Sequence, residues 1–234
     1  MISKTDGSGT WTYAYDIENR LVSVTTADGD VTEYEYDVFG NRSAVIESGV
    51  RTDYLIDPFG MGDVVGEYAG DGSLIASYTH GLGLVTRKGS DGSLGFYDVD
   101  AVGSVVGVTN NTGLLVNTYG YTPFGKELFE TEAINNNFEF NGALGVSEDG
   151  IGLLYMRARS YDTSLGRFVS EDPLWLSGDI SNLNRFAKNN PISYVDPEGQ
   201  YLQAFAAGLG ISAAIYFKLV KPHIEREKNR EELH

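Results

Sequence analysis

The spacing of tyrosine and aspartate constrains this chain more than any other feature. Tyr13, Tyr15 and Asp16 recur 21 residues later as Tyr34, Tyr36 and Asp37, and Asp57 and Gly60 follow Asp37 and Gly40 by 20 residues. Weaker echoes fall at Tyr78, at Tyr97-Asp98 and over Tyr119 to Gly125. A repeat of this length is one supersecondary unit that cannot bury its own apolar face and must stack on its neighbours. Within each unit apolar and aromatic residues alternate with polar ones, as in Tyr13-Ala14-Tyr15 and Leu21-Val22-Ser23-Val24. Period two means strands. Turn-forming clusters separate them: Ala27 to Asp30, Gly70 to Ser73, Ser90 to Ser93 and Asn110 to Gly113. Each unit therefore reads as a hairpin, and the hairpins as one continuous antiparallel sheet. The Tyr-Asp step reads as a ring buried on one pleat face beside a carboxylate that accepts backbone N–H bonds in the turn. A second reading of Tyr13, Tyr15, Tyr34 and Tyr36 is as aromatic rungs that bind glycans.

Composition supports a packed β protein. The chain carries 29 glycines, 15 tyrosines and 11 phenylalanines, and 41% of it is hydrophobic, too much for a disordered chain. Its formal net charge of −16 argues against a nucleic-acid partner, since an acidic surface repels phosphates. There is no cysteine, so disulfides and thiolate chemistry are excluded. The opening MISKTDGSGTW lacks the apolar core of a signal peptide, and the chain opens in mid-pattern. It is expected to be the end of a longer product.

A second block, Gly150 to Gly199, is denser in aromatics, arginines and aspartates than the rest. From Gly152 to Tyr161, Leu153, Tyr155, Arg157, Arg159 and Tyr161 alternate with Leu154, Met156, Ala158 and Ser160. That pattern predicts a small apolar face and a face where guanidinium groups stack on rings or meet carboxylates such as Asp162, Glu171, Asp172 and Asp179.

The unit Tyr34-Glu35-Tyr36-Asp37-Val38-Phe39-Gly40-Asn41-Arg42 resembles the YD repeat of the RHS family, which includes bacterial Rhs proteins, toxin-complex C components and teneurins. The unit from Gly60 to Thr86 is degenerate, and Thr122 stands where Asp is usual. Three further pieces resemble the RHS repeat-associated core domain: Met156 to Asp162, Gly166 to Pro173 and Asn189 to Gly199. The resemblance divides the chain into repeats (1–137), a core domain (138–200) and a variable tail (201–234). It implies a mainly β fold, stacked hairpins forming part of a β-shell, with a C-terminal α-helical tail. Some family members cut themselves at the end of the core domain with a pair of aspartates. Carried over, that pair is Asp172 and Asp196, with Arg167 nearby and the cut after Gly199-Gln200. Gln200 replaces the usual Leu, and an alternative role for both Asp-Pro pairs is turn capping.

Other chemistry is thin. His80, His223 and His234 are isolated, so no metal site or cofactor is expected. The turn aspartates lack the closing Glu of a calcium loop, and Gly81-Leu82-Gly83 precedes a strand rather than a nucleotide-binding helix. In the tail, 202–220 is nearly continuous in apolar residues, followed by a mixed-charge end. It is long enough for a membrane helix, and alternatively fits a helix packed on the shell or the start of a toxin. The leading functional expectation is a partial β-shell that encloses or displays its C-terminal segment. Self-cleavage and a carbohydrate-binding surface module are the alternatives. Upstream repeats or a shell-completing protein, a membrane and glycans are the expected partners, in a secreted or cell-surface setting.

Overall fold

The computed structural model of the chain describes residues 2–7, 9–59, 62–172, 182–200 and 203–204. The repeat region forms β1 (Ser3–Asp6), β2 (Gly9–Tyr15), β3 (Leu21–Thr25), β4 (Val31–Tyr36), β5 (Arg42–Glu47), β6 (Val50–Ile56) and β7 (Val64–Ala69). It continues through β8 (Leu74–His80), β9 (Leu84–Gly89), β10 (Leu94–Val99), β11 (Val105–Asn110), β12 (Leu115–Tyr121) and β13 (Glu127–Thr131). All thirteen join in one sheet whose spatial order is chain order, an uninterrupted antiparallel meander.

The repeat explains the turns. Asp37 Oδ1 accepts the N–H groups of Phe39 (2.8 Å) and Asn41 (2.9 Å), and Gly40 takes a φ of 86°. Asp16 repeats this with Glu18 and Arg20 (both 2.9 Å), and Asp100 with Val102 (3.0 Å) and Ser104 (2.8 Å). One carboxylate thus satisfies two amides that a tight turn leaves unpaired. Thr122 keeps only the second contact, from the Lys126 N–H at 3.1 Å.

A regular defect accompanies each of these turns. The register slips by one residue between Ala14 and Tyr15, Glu35 and Tyr36, Leu55 and Ile56, Thr79 and His80, Asp98 and Val99, and Gly120 and Tyr121. Every such bulge sits on the same rim of the sheet, where it bends the strand and adds twist. Repeated once per hairpin, the defect curls the sheet.

The curl closes on the core domain. After a 3₁₀ turn (Gly142–Leu144), four short strands form a second sheet: β14 (Ser147–Glu148), β15 (Leu153–Met156), β16 (Arg159–Asp162) and β17 (Arg167–Phe168). Lys4 Nζ of β1 reaches Asp162 Oδ2 at 3.1 Å, while the Tyr161 hydroxyl donates to the Phe124 carbonyl just past β12 at 2.8 Å. At about 4.8 Å per strand, β1 and β12 would stand roughly 50 Å apart in a flat sheet. They touch adjacent residues, so the sheet wraps around the core domain.

The core fills that wrap. Tyr13, Leu21, Val24, Tyr34 and Val45 of the large sheet pack on Leu153 and Val169. Phe140, Val146, Leu154, Met156, Tyr161, Phe168 and Phe186 belong to the largest buried cluster, with Tyr161, Phe168 and Phe186 fully buried. The predicted alternation from Gly152 to Tyr161 is interrupted: Met156 pairs with Arg159, so Arg157 and Ala158 form a two-residue hairpin turn with Arg157 at φ 51°. Arg157 and Arg159 consequently go to different places.

Among the described residues there is no α-helix and no helix long and apolar enough to cross a membrane. The two described tail residues form β19 (Gln203–Ala204), paired with β18 (Tyr194–Val195). The expected tail helix and the membrane segment at 202–220 otherwise lie outside the described residues.

Replacing Tyr161 with Ala removes a fully buried ring and one end of the closure. The expected cost is about 3 kcal/mol or more, read as a fall in Tm of roughly 6–12 °C in a thermal melt. An unchanged Tm would show that the core domain does not hold the sheet.

Candidate functional site

The core domain brings the two predicted aspartates together through an arginine other than the expected one. Arg159 Nη2 lies 3.2 Å from Asp172 Oδ2 and 3.2 Å from Asp196 Oδ2. Its Nη1 donates to the Leu183 carbonyl at 3.1 Å, its Nε donates to the Gly199 carbonyl, and its guanidinium stacks on the Phe168 ring at 3.6 Å. Arg159 and Asp196 are buried, and the Asp172 side chain is 27% exposed. Burial pulls the Arg159 guanidinium below its ordinary range, and Asp196 and Asp172 oppose that pull. Arg167, the predicted neighbour, is exposed and lines a groove with Ser3, Lys4, Thr5 and Asp6 on the β1 side of the core domain. The hairpin turn at Arg157-Ala158 parts Arg159 from Arg157 and sets Arg159 beside Asp196.

The arrangement changes the chemistry expected of the pair. Two bare carboxylates in contact share one proton because both cannot ionise cheaply. A guanidinium between them supplies a compensating charge that a bare pair lacks. The chain at the predicted cut position is held against this group. Gln200 donates its N–H to Asp196 Oδ1 at 3.0 Å, and Gly199 takes a φ of 65°. A Cβ at Gly199 would overlap the Met156 carbonyl and stand 3.1 Å from the Arg159 backbone nitrogen. Beside it opens a cleft of about 370 Å³ lined by Glu18, Arg20, Phe39, Asn41, Arg157, Glu171 and Gln200, among others.

A second buried group has no counterpart among the sequence expectations. The Arg42 guanidinium is sandwiched between the rings of Tyr34 and Tyr155, 4.0 Å from each centroid, and lies 3.9 Å from Asp149. The Tyr34 hydroxyl donates to Asp149 at 2.5 Å. Burial pushes the Asp149 carboxyl up, and Arg42 and Tyr34 pull it back. The Gly-Asn-Arg end of the repeat signals Arg42, but Asp149 and Tyr155 come from more than a hundred positions away.

Two family models match the chain: the Teneurin YD-shell over residues 91–192 and the RHS Repeat over residues 18–49. The tRNA nuclease WapA of Bacillus subtilis (strain 168) is 32% identical over 203 residues, 83% of this chain and 9% of that protein. The chain belongs to the RHS/YD-repeat family. The probable deoxyribonuclease RhsA of Dickeya dadantii (strain 3937) is 30% identical over 81% of this chain and 14% of its own length. The crystal structure of TcdB2-TccC3 superposes with a TM-score of 0.64 at 19% identity, over 81% of this chain and 10% of that one. The chain therefore spans about a tenth of the length of these RHS relatives, and the fold is that of a β-shell segment.

Within this RHS shell segment the repeat tyrosines face inward. Tyr13 and Tyr34 are buried under the core domain, and burial pushes the Tyr13 hydroxyl up to about 12. Tyr36 donates its hydroxyl to the Leu21 carbonyl at 2.7 Å beneath the Arg20 guanidinium, and Tyr15 donates to the Val169 carbonyl at 3.4 Å. Tyr13 and Tyr34 therefore present no open ring face for a sugar, while Tyr15 and Tyr36 stay half-buried.

The RHS fold also crowds carboxylates near its last strand. The oxygens of Glu130, Glu132 and Glu139 lie within 4.8 Å of one another. Burial, then Glu148, Glu130, Glu132 and Glu127, push Glu139 up to about 8, and burial with Glu130 pushes Glu132 up to about 7. Such a set takes up protons readily.

Two outcomes are expected of these clusters. Because the folded pKa of Glu139 exceeds its ordinary value, the stability it contributes is full below about 4.5 and lost as pH rises through about 8. Tm should therefore rise as pH falls from 9 to 6, and Glu139→Gln should flatten that slope; an unchanged slope would contradict the crowding. Arg42→Leu leaves Asp149 buried without its cation and should cost about 3–5 kcal/mol, measured by denaturant unfolding. A loss under about 1 kcal/mol would mean the rings alone hold the site.

Proposed function

We propose that the chain is the closing segment of an RHS shell, a curled sheet locked by its core domain that encloses or displays the segment following Gln200. The observation that carries this reading is the attachment of β1 and the β12 turn to neighbouring residues of the core domain. Such a lock sets the curvature of any sheet that continues from β1. Among the described residues the far side of β1 has no paired strand, so further repeats are the partner that its free backbone groups would accept. The family placement supports a secreted or cell-surface setting.

Limited trypsin digestion tests enclosure against display. The segment carries Lys218, Arg226, Lys228 and Arg230 as sites. Digestion of this chain alone is expected to trim it within minutes, and joining further repeats ahead of β1 is expected to slow trimming at least about tenfold, as for sites shielded from local opening. Equal rates would contradict a shell that encloses it.

A second reading, self-cleavage after Gln200, is favoured by the grip on the chain there. Arg159 holds the Gly199 carbonyl and Asp196 the Gln200 N–H, which fixes the Gly199–Gln200 peptide, one bond before the cut, beside Asp196. Water would add to the Gln200 carbonyl as one carboxylate takes its proton. That same carboxyl would return the proton to the departing nitrogen as the C–N bond breaks and the Gln200 carbonyl re-forms as a carboxylic acid. Intact mass of the purified chain decides the matter: two fragments are expected, and Asp172→Asn should give one uncut species. A single species near 25.5 kDa from the unaltered chain would overturn cleavage and leave the shell reading untouched.

A further inference from the structure

Gln200 follows the last pinned residue of the core domain, and the structure gives its side chain a physical setting. Gly199 cannot carry a side chain: its φ is 65°, and a Cβ would run into the Met156 carbonyl and crowd the Arg159 backbone. The backbone on both sides of the Gly199–Gln200 peptide is pinned, by Arg159 on the carbonyl and by Asp196 on the N–H. Residue identity next to the grip can therefore be read only through the side chain at 200. Gln200 lines the cleft of about 370 Å³ between the core domain and the turns of two repeats.

The walls of that cleft are charged. Glu18 and Arg20 come from the β2–β3 turn, where Arg20 Nη1 pairs with Glu18 at 3.0 Å, and Asn41 comes from the β4–β5 turn. Arg157 enters from the core domain, held by the Asp63 carboxylate at 3.1 Å and the Pro197 carbonyl at 2.8 Å. Glu171 closes the cleft one residue before Asp172, and Phe39 contributes the single large apolar side. An aliphatic side chain placed there would desolvate these groups without returning hydrogen bonds, whereas a carboxamide both donates and accepts.

We propose that this cleft is a side-chain subsite that selects a polar residue at position 200, so that the repeat turns, and not the core domain alone, set which C-terminal junction the shell accepts. The rate consequence rests on the self-cleavage reading, while the seating itself does not. It links two parts of the chain that are far apart in sequence: a change of turn residues at 18 or 41 should require a matching change at 200.

The test uses the full chain in two backgrounds. In the unaltered chain, Gln200→Leu should slow the appearance of the two fragments by about tenfold, in the range by which sites discriminate small side-chain differences, and Gln200→Asn should slow it less. Making the walls apolar with Glu18→Leu and Glu171→Leu should reverse the order, so that adding Gln200→Leu to that pair speeds cutting instead of slowing it. In the Asp172→Asn background, where no cut is expected, Gln200→Leu should lower Tm by roughly 2–4 °C and speed amide exchange over 196–200. If the unaltered chain is not cut, the cleavage reading fails, and the Tm and exchange arm decides the subsite on its own. Equal rates with and without Gln200→Leu, or equal Tm and exchange in the uncut background, would overturn the subsite.

Discussion

Closure of the sheet depends on burial of its inner face against the core domain. A meander of thirteen strands has no intrinsic reason to stop curling at a particular radius, and its inner tyrosines would lie open to water if it did not curl. The core domain supplies the missing surface. Leu153 and Val169 cover the rings from β2 and β4, and Phe138 covers Tyr78 edge to face at 5.0 Å between centroids. Each large ring buried in this way contributes on the order of 1.5–3 kcal/mol. The sheet and the core domain are therefore one folding unit, neither of which has a complete core alone. The bulges before the turns that follow β2, β4, β6, β8, β10 and β12 supply the bend, and the core domain fixes where the bend ends.

Polar groups inside this unit are paired in a way that ties function to fold. Arg42 joins a repeat to the core domain through two tyrosine rings, and Arg159 joins Asp172, Asp196 and the Gly199 carbonyl at the end of the core domain. A buried arginine suits both places because its planar fork can stack on a ring and donate at the edges simultaneously. The Arg159 group has a consequence for any chemistry there. Its positive charge lies against both carboxylates, so the pair differs from two bare carboxylates in contact.

Much of the fold is legible in the sequence because it is local. The period of Tyr and Asp specifies hairpins, and the Asp turn specifies its own hydrogen bonds, down to the weaker form at Thr122. The approach of Asp172 and Asp196 also follows from the family pattern. What is not legible depends on non-local packing or on weak turn chemistry. Arg157-Ala158 contains none of the Gly, Asn or Asp that usually announce a two-residue turn, so the alternation through Tyr161 reads as uninterrupted. Without that turn, Arg157 and Arg159 read as neighbours on one face, whereas the expectation of Arg167 beside the aspartates comes from the family resemblance alone. The destination of the repeat tyrosines is likewise ambiguous, because a ring bound for the core and a ring bound for a sugar obey the same period.

The direct test of closure is a distance across the sheet. The chain has no cysteine, so spin labels can be placed at Thr5→Cys on β1 and Lys126→Cys after β12 without background. A sheet wrapped around the core domain predicts a single narrow distance below about 35 Å by pulsed electron spin resonance, whereas strands spaced about 4.8 Å apart in an open sheet would hold the labels beyond about 50 Å. A narrow short distance that broadens and lengthens in Tyr161→Ala would support closure by the core domain; a long distance in the unaltered chain would contradict it.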